Sequence, residues 1–315
     1  MANQNKTSNT VPTKNNQPAK HHFVRTTFAT LFGMLAVWLI LASIVVVWLN
    51  RTLTDTSTYV KTVSPLVTKP EVQNFIAQKA SEQLVNNAPI TDIASTLLPA
   101  DQITGKTPDQ LKPLVQSAIN DDIKQVVSTP QFAKLWQTTN QTAHTQLIQQ
   151  IKAGAPTLTL DLHPAIVGAI DQLKSSKLSA VSDKIDISED AGKIELKGSG
   201  IEKVHQYYDT FQKATLALVL AAIVLAALCI WISVHHMKTL RRMLIMTAIS
   251  VLILALALRA PSFVHLKTGD PVQTQAAITI AETLLRNLQL AALVLGIGCI
   301  VIAIATKLYE RFVHR

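Results

Sequence analysis

The chain has 315 residues, of which 48% are hydrophobic and 16% charged, with 29 Lys and Arg against 20 Asp and Glu for a net charge of +9. Its basic excess does not point to nucleic acid, because residues 51–212 hold 15 Lys and Arg against 17 Asp and Glu, a net of −2, and the surplus flanks four long uncharged stretches. Two cysteines, Cys229 and Cys299, both lie in those stretches, so residues 51–212 can form neither a disulfide nor a thiol centre.

Residues 1–22 are rich in Asn, Gln, Thr, Lys and Pro and cannot bury enough apolar surface to order themselves, so a disordered tail is expected. The first uncharged stretch, Thr26–Asn50, exceeds the roughly 20 residues that a helix needs to cross a bilayer. No small-residue cleavage site follows it, which predicts an uncleaved anchor. Leu53, Tyr59, Val60 and Val63 continue with helical spacing, as though the first span ran on outward.

Beyond Ser64-Pro65, Thr68-Lys69-Pro70-Glu71 matches a capping box, and Val72, Phe75, Ile76, Ala80 and Leu84 follow at three- and four-residue steps. Leu114, Val115, Ala118, Ile119, Ile123 and Val127 form the face of another helix, with Pro113 expected near its start because a later proline would break it. Thr129-Pro130 opens a third, whose stripe is Phe132, Leu135, Trp136, Ala143, Leu147 and Ile151. Gly154 and Pro156 end it.

The period then changes to two. Thr157 to Leu162, Lys184 to Ile187 and Lys193 to Leu196 alternate as short strands do, with a helix from about Pro164 to Leu173 between the first pair. A helix restarts after Gly198-Ser199-Gly200 and enters the second span, 213–234, without a flexible linker. The third span, 243–260, has only 16 uncharged residues before Arg259, which either snorkels to water or serves a function within the membrane. Asp270-Pro271 starts a helix whose residues Val272, Ala276, Ile280, Leu284 and Leu288 step by four into the fourth span, 287–306. About 16 residues would stand roughly 24 Å above the bilayer and need an apolar partner, for which residues 51–212 are the nearest candidate.

Lys and Arg in short loops resist translocation, and they concentrate in the first tail, in the turn 235–242 and in the tail 307–315. Both termini are therefore expected in the cytoplasm of a multi-pass plasma-membrane protein, with 51–212 and the loop 261–286 outside. The expected fold is a mainly α membrane protein with four transmembrane helices, an extracytoplasmic helical bundle and a small two- or three-stranded sheet.

Few residues invite a chemical reading. The interiors of the four spans contain no Asp, Glu, His, Lys or Arg, which disfavours self-contained ion-coupled transport. Ala222, Ala226, Cys229 and Ser233 in span two, and Ala292, Gly296, Cys299 and Ala303 in span four, repeat at steps of four, three and four, a pattern suited to close helix packing. Asp161 and His163 could share a strand face but lack further metal ligands at a recognisable spacing. Trp136, Asn140 and His144 form one row on a helix, either bordering the core through hydrogen bonds or presenting a binding row to a ligand or partner. Nucleophile-elbow, zinc-protease, phosphate-loop and CxxC motifs are absent, and no cofactor is expected.

The run Asp55-Thr56-Ser57-Thr58-Tyr59-Val60-Lys61-Thr62-Val63-Ser64-Pro65-Leu66, with Phe132, Trp136 and His144 further on, resembles a group of bacterial multi-pass membrane proteins common in actinobacteria. The resemblance implies one anchor, an external helical domain, three further spans and a bacterial envelope. That group carries no assigned activity, so it transfers no functional residue. Binding, sensing or scaffolding in the envelope is the leading functional expectation, and an accessory role in a transporter or channel complex is the alternative. The expected partners are the lipid bilayer and a protein partner or second copy within the membrane, not nucleic acid.

Overall fold

A computed structural model describes residues 20–87, 90–176, 178–182, 188, 190–198, 200–233, 235–259 and 270–313. Four of its helices are long and apolar enough to cross a membrane: α1 (Lys20–Thr54), α10 (Val204–Ile232), α11 (His236–Ala257) and α12 (Pro271–Val313). Helix α1 starts at Lys20, so the last three residues of the expected tail are helical. Its end is also sharper than the spacing suggested. Asp55 adopts an extended conformation and its carboxylate accepts the Thr58 N–H at 2.7 Å, which closes α1 and caps a separate short helix, α2 (Thr56–Val63).

A 3₁₀ turn over Ser64–Thr68 leads to α3 (Pro70–Asn87). The expected capping box at Thr68 does not form. The Thr68 hydroxyl donates back to the Pro65 carbonyl, and the Lys69 carbonyl accepts the first helical N–H groups, from Val72 and Gln73. Helices α4 (Ile90–Leu97) and α5 (Ala100–Ile103) precede α6 (Pro108–Val127). There the Gln110 side chain accepts the Thr107 N–H at 3.0 Å and Pro108 takes the first helical position. Pro113 therefore lies inside α6, on its exposed side, contrary to expectation. The early start was hidden because residues 108–113 offer only Leu111 to the apolar face.

The body between α1 and α10 has one core, in which Ala77 and Val85 of α3, Ile93 and Ala94 of α4, and Leu111, Val115 and Ile119 of α6 are each at most 3% exposed. Phe132 and Trp136 of α7 (Pro130–Lys152) pack against it, as does Leu173 of α8 (His163–Lys174). Thr129 caps α7 as its sequence predicts, accepting the Phe132 N–H.

Strand β1 (Leu158–Asp161) pairs antiparallel with β2 (Lys193–Leu196), with Asp161 opposite Lys193. These are the two strands among the described residues, with the four-residue helix α9 (Ser179–Ser182) between them in sequence. The candidate strand Lys184–Ile187 lies outside the described residues. Gln150 of α7 fastens the ribbon, donating to the Thr159 carbonyl at 2.6 Å and accepting its N–H at 2.7 Å. Gly192 turns the chain into β2 at φ +85°, where a Cβ would stand 3.0 Å from both the His163 nitrogen and the Leu162 carbonyl carbon.

Helix α10 begins directly after a 3₁₀ turn at Ile201–Lys203. The turn expected at 235–242 is largely helical: α11 starts at His236, seven residues before the uncharged stretch, and ends at Ala257, 22 residues in all. Nothing in that segment breaks a helix, its Lys and Arg carry good helix propensity, and Lys238 and Arg242 are exposed. The chain reversal is held by a hydrogen bond between the Ser233 and Thr239 hydroxyls.

The four long helices form two antiparallel pairs. Helix α10 packs along α1, and α12 along α11. Cys229, 1% exposed, meets α1 where a Cβ on Gly33 would lie 3.2 Å from its Sγ, and Ala36 and Met243 complete that cluster with Ala226 against it. On the other seam, a Cβ on Gly296 would lie 3.2 Å from Cγ of Leu252, and Ala292 is fully buried beside Val251 and Ala255.

Candidate functional site

Helix α12 runs unbroken for 43 residues, about 64 Å at 1.5 Å per residue, roughly twice the thickness of a bilayer's hydrocarbon core. Its first part lies on α3 and touches α2, with Ala276 and Leu288 each 2% exposed. Two polar bridges lock that packing. Gln78 of α3 donates to the Asp270 carboxylate at 3.1 Å, and Asn287 of α12 donates to the Thr62 hydroxyl of α2 at 3.1 Å.

Trp136, Asn140 and His144 are brought together against another face of α2. Thr56, Tyr59 and Val63 recur at steps of three and four along α2 and run antiparallel to the row on α7. The His144 Nδ1 and the Thr56 hydroxyl share a hydrogen bond at 3.0 Å, the Tyr59 hydroxyl donates to the Asn140 side-chain oxygen at 3.4 Å, and the Trp136 indole donates to the Val63 carbonyl at 3.1 Å. Asn140 also donates to the Trp136 carbonyl at 2.8 Å, and the Tyr59 and His144 rings stack with centroids 4.2 Å apart. The two sequence runs singled out above are thus the two halves of one interface. Trp136, Asn140 and His144 each have a hydrogen-bond partner on α2.

Burial holds the His144 imidazole below its ordinary value of 6.5, although a hydrogen bond with the Leu53 backbone and the charge of Asp55 oppose the shift. Burial also raises the Tyr59 phenol, so both rings are neutral at pH 7. The pH dependence follows from the sign. An unfolded chain takes up a proton as pH falls below about 6.5 while the folded imidazole resists it, so stability falls with pH in the window between 6.5 and the lower folded value, and is flat above 6.5. Thermal unfolding of the detergent-solubilised protein between pH 7.5 and pH 5 should show this slope, and His144→Gln should flatten it while lowering the midpoint throughout. A slope unchanged in His144→Gln would place the titration elsewhere.

Other suspected positions serve the scaffold. Asp161 accepts the His163 N–H at 2.9 Å and the His163 Nδ1 bonds the Ala191 carbonyl at 3.2 Å, so this pair closes the turn into α8. Among the described residues no group of three His, Cys, Asp or Glu could hold a metal ion. Ser43 donates to its own helix at Leu39. Cys229 and Ala222 are buried in α10, whereas Ala292 and Gly296 are buried in α12 and Cys299 is half-buried there. The two small-residue stripes thus face different neighbours, α1 and α11, and do not meet each other.

Sequence reasoning missed the partners of the row, Thr56 and Tyr59, and the bridging residues Thr62, Gln78 and Asn287. The three-and-four spacing of Thr56, Tyr59 and Val63 was a usable signal. His205 of α10 bonds the Ile151 carbonyl of α7 at 2.9 Å, which ties α10 to the body, and the Asn50 amide donates to Gln212 at 2.9 Å, which joins α1 to α10. Chemically the arrangement is a clamp. No match to this chain was found among family models, curated proteins or solved structures.

Proposed function

We propose that the protein is an integral plasma-membrane protein with both termini in the cytoplasm, displaying residues 51–212 outside as a rigid helical domain that binds a partner or scaffolds an assembly in the cell envelope. The observation that carries this reading is the double seating of α2, on α7 through the aromatic and polar row and on α12 through Thr62 and Asn287. A domain held this way keeps a fixed height and orientation over the bilayer, as a display or scaffold requires. The basic flanks support the orientation, since Lys and Arg concentrate at the end of the helices away from the body. The resemblance to actinobacterial membrane proteins supports a bacterial envelope.

Orientation is tested with single cysteines at Lys134 and Tyr309, both exposed, in a background lacking Cys229 and Cys299. An impermeant maleimide should label position 134 in intact cells and position 309 only after permeabilisation, and the reverse pattern would overturn the reading. Crosslinking in native membranes should then capture a protein joined to residues 51–212. Recovery of a monomer alone would contradict the scaffold role.

A further inference from the structure

We propose that the α11–α12 pair holds one anionic phospholipid, its headgroup phosphate between Lys238, Arg242, Lys307 and Arg311 and an acyl chain along the groove between the two helices. Arg241 and Glu310 form an ion pair at 2.9 Å where α11 begins and α12 nears its end. That pair fixes the line joining the two helix axes at this level. Each helical residue advances about 100°, so Lys238 and Arg242 lie about 60° and 100° round α11 from Arg241, and Lys307 and Arg311 lie about 60° and 100° round α12 from Glu310. Rotations of the same sign on antiparallel helices open toward the same side. All four cations therefore converge on one face of the pair, and all four are exposed.

The same geometry says what that face meets. On the opposite face, Val251 and Ala255 of α11 pack with Ala292 against Leu41 and Ile44 of α1. On the cation side, Ile249 and Leu256 of α11 fall at about 80° and 60° and Ile300 of α12 at about 80°. Their exposures are 53%, 70% and 39%, so the groove below the cations is apolar and uncovered. Lys307 directly follows the 20 uncharged residues of 287–306, which puts the cluster at headgroup depth when α12 spans a bilayer. A phosphate with its chains attached satisfies both parts of this surface. Orienting charge alone would not require four cations on one side of one helix pair, with Glu310 already engaged by Arg241.

The test uses the full-length protein in nanodiscs of phosphatidylcholine with a minority of phosphatidylglycerol. On stepwise delipidation the wild type should retain phosphatidylglycerol over phosphatidylcholine by about tenfold. The variant K238Q/R242Q/K307Q/R311Q should lose that preference, and K112Q/K124Q/K134Q/K152Q, which removes equal charge from exposed positions on the body, should keep it. Because flanking cations also orient the spans, a measurement on unaltered protein stands beside these. Phosphatidylglycerol with a photoreactive acyl chain should form adducts confined to residues 249–256 and 297–304. Adducts spread evenly round all four helices, a preference that survives the quadruple variant or vanishes in the matched one, or displacement of the lipid by inorganic phosphate alone would each overturn the proposal.

Discussion

Replacing Trp136 with alanine is expected to destabilise the body by about 3 kcal/mol, at the lower end of the range for truncating a large aromatic side chain because the indole is only half-buried. Two losses combine. The ring packs against the core formed by α3, α4 and α6, and its N–H is the bond that holds the end of α2 through the Val63 carbonyl. Trp136→Phe separates them: it keeps most of the apolar contact and gives up the hydrogen bond, for a cost of about 1 kcal/mol. Both variants should lose protease resistance over α2 before the rest of the chain, because α2 spans only eight residues and depends on its neighbours for stability. Equal resistance in Trp136→Ala and the wild type would mean that the row is ornamental to the fold.

Ala276→Arg should have the second large effect, on the other seat of α2. The alanine is 2% exposed on the stretch of α12 that lies on α3. An arginine there must either bury an unpaired guanidinium, at a cost of several kcal/mol, or push α12 off the body. The second outcome is expected, with α12 tilting or bending away from α3 and α2. The Gln78–Asp270 and Thr62–Asn287 bridges should break together. Gln275→Arg, one residue earlier and exposed, should leave both intact. A distance between spin labels on α3 and α12 that widens in Ala276→Arg and not in Gln275→Arg checks this.

Much of this architecture could be read from the chain because its strongest signals are long and periodic. Four uncharged stretches gave four long helices, and the four-residue steps from Val272 to Leu288 gave the overhang of α12 and its need for a partner. What failed was local and polar. Asp55 reads as one acid in a helical pattern, yet its carboxylate breaks the first helix in two. The start of α6 leaves no mark on the hydrophobic period because Thr107 and Gln110 cap it without changing that period. Helix α11 runs past the uncharged stretch at its start because charge marks only the edge of the apolar region and not a helix boundary.

The candidate row was legible as three residues but not as a site. Spacing placed Trp136, Asn140 and His144 on one face and left open whether that face looks into the protein or out to a ligand. Only the three-dimensional arrangement supplies Thr56 and Tyr59, about 80 residues away in sequence, as the groups that occupy it. A hydrogen-bonded contact at such separation leaves no periodic trace beyond the two short motifs themselves.

The body and the overhang of α12 move as one unit through α2. The most direct measurement places cysteines at Thr62 and Asn287 in a background without Cys229 and Cys299, and applies a short thiol crosslinker to the protein in membranes. Near-complete intramolecular crosslinking is predicted, abolished by Ala276→Arg. Failure to crosslink, with both cysteines labelled freely by a water-soluble maleimide, would mean that the overhang of α12 moves independently of the body.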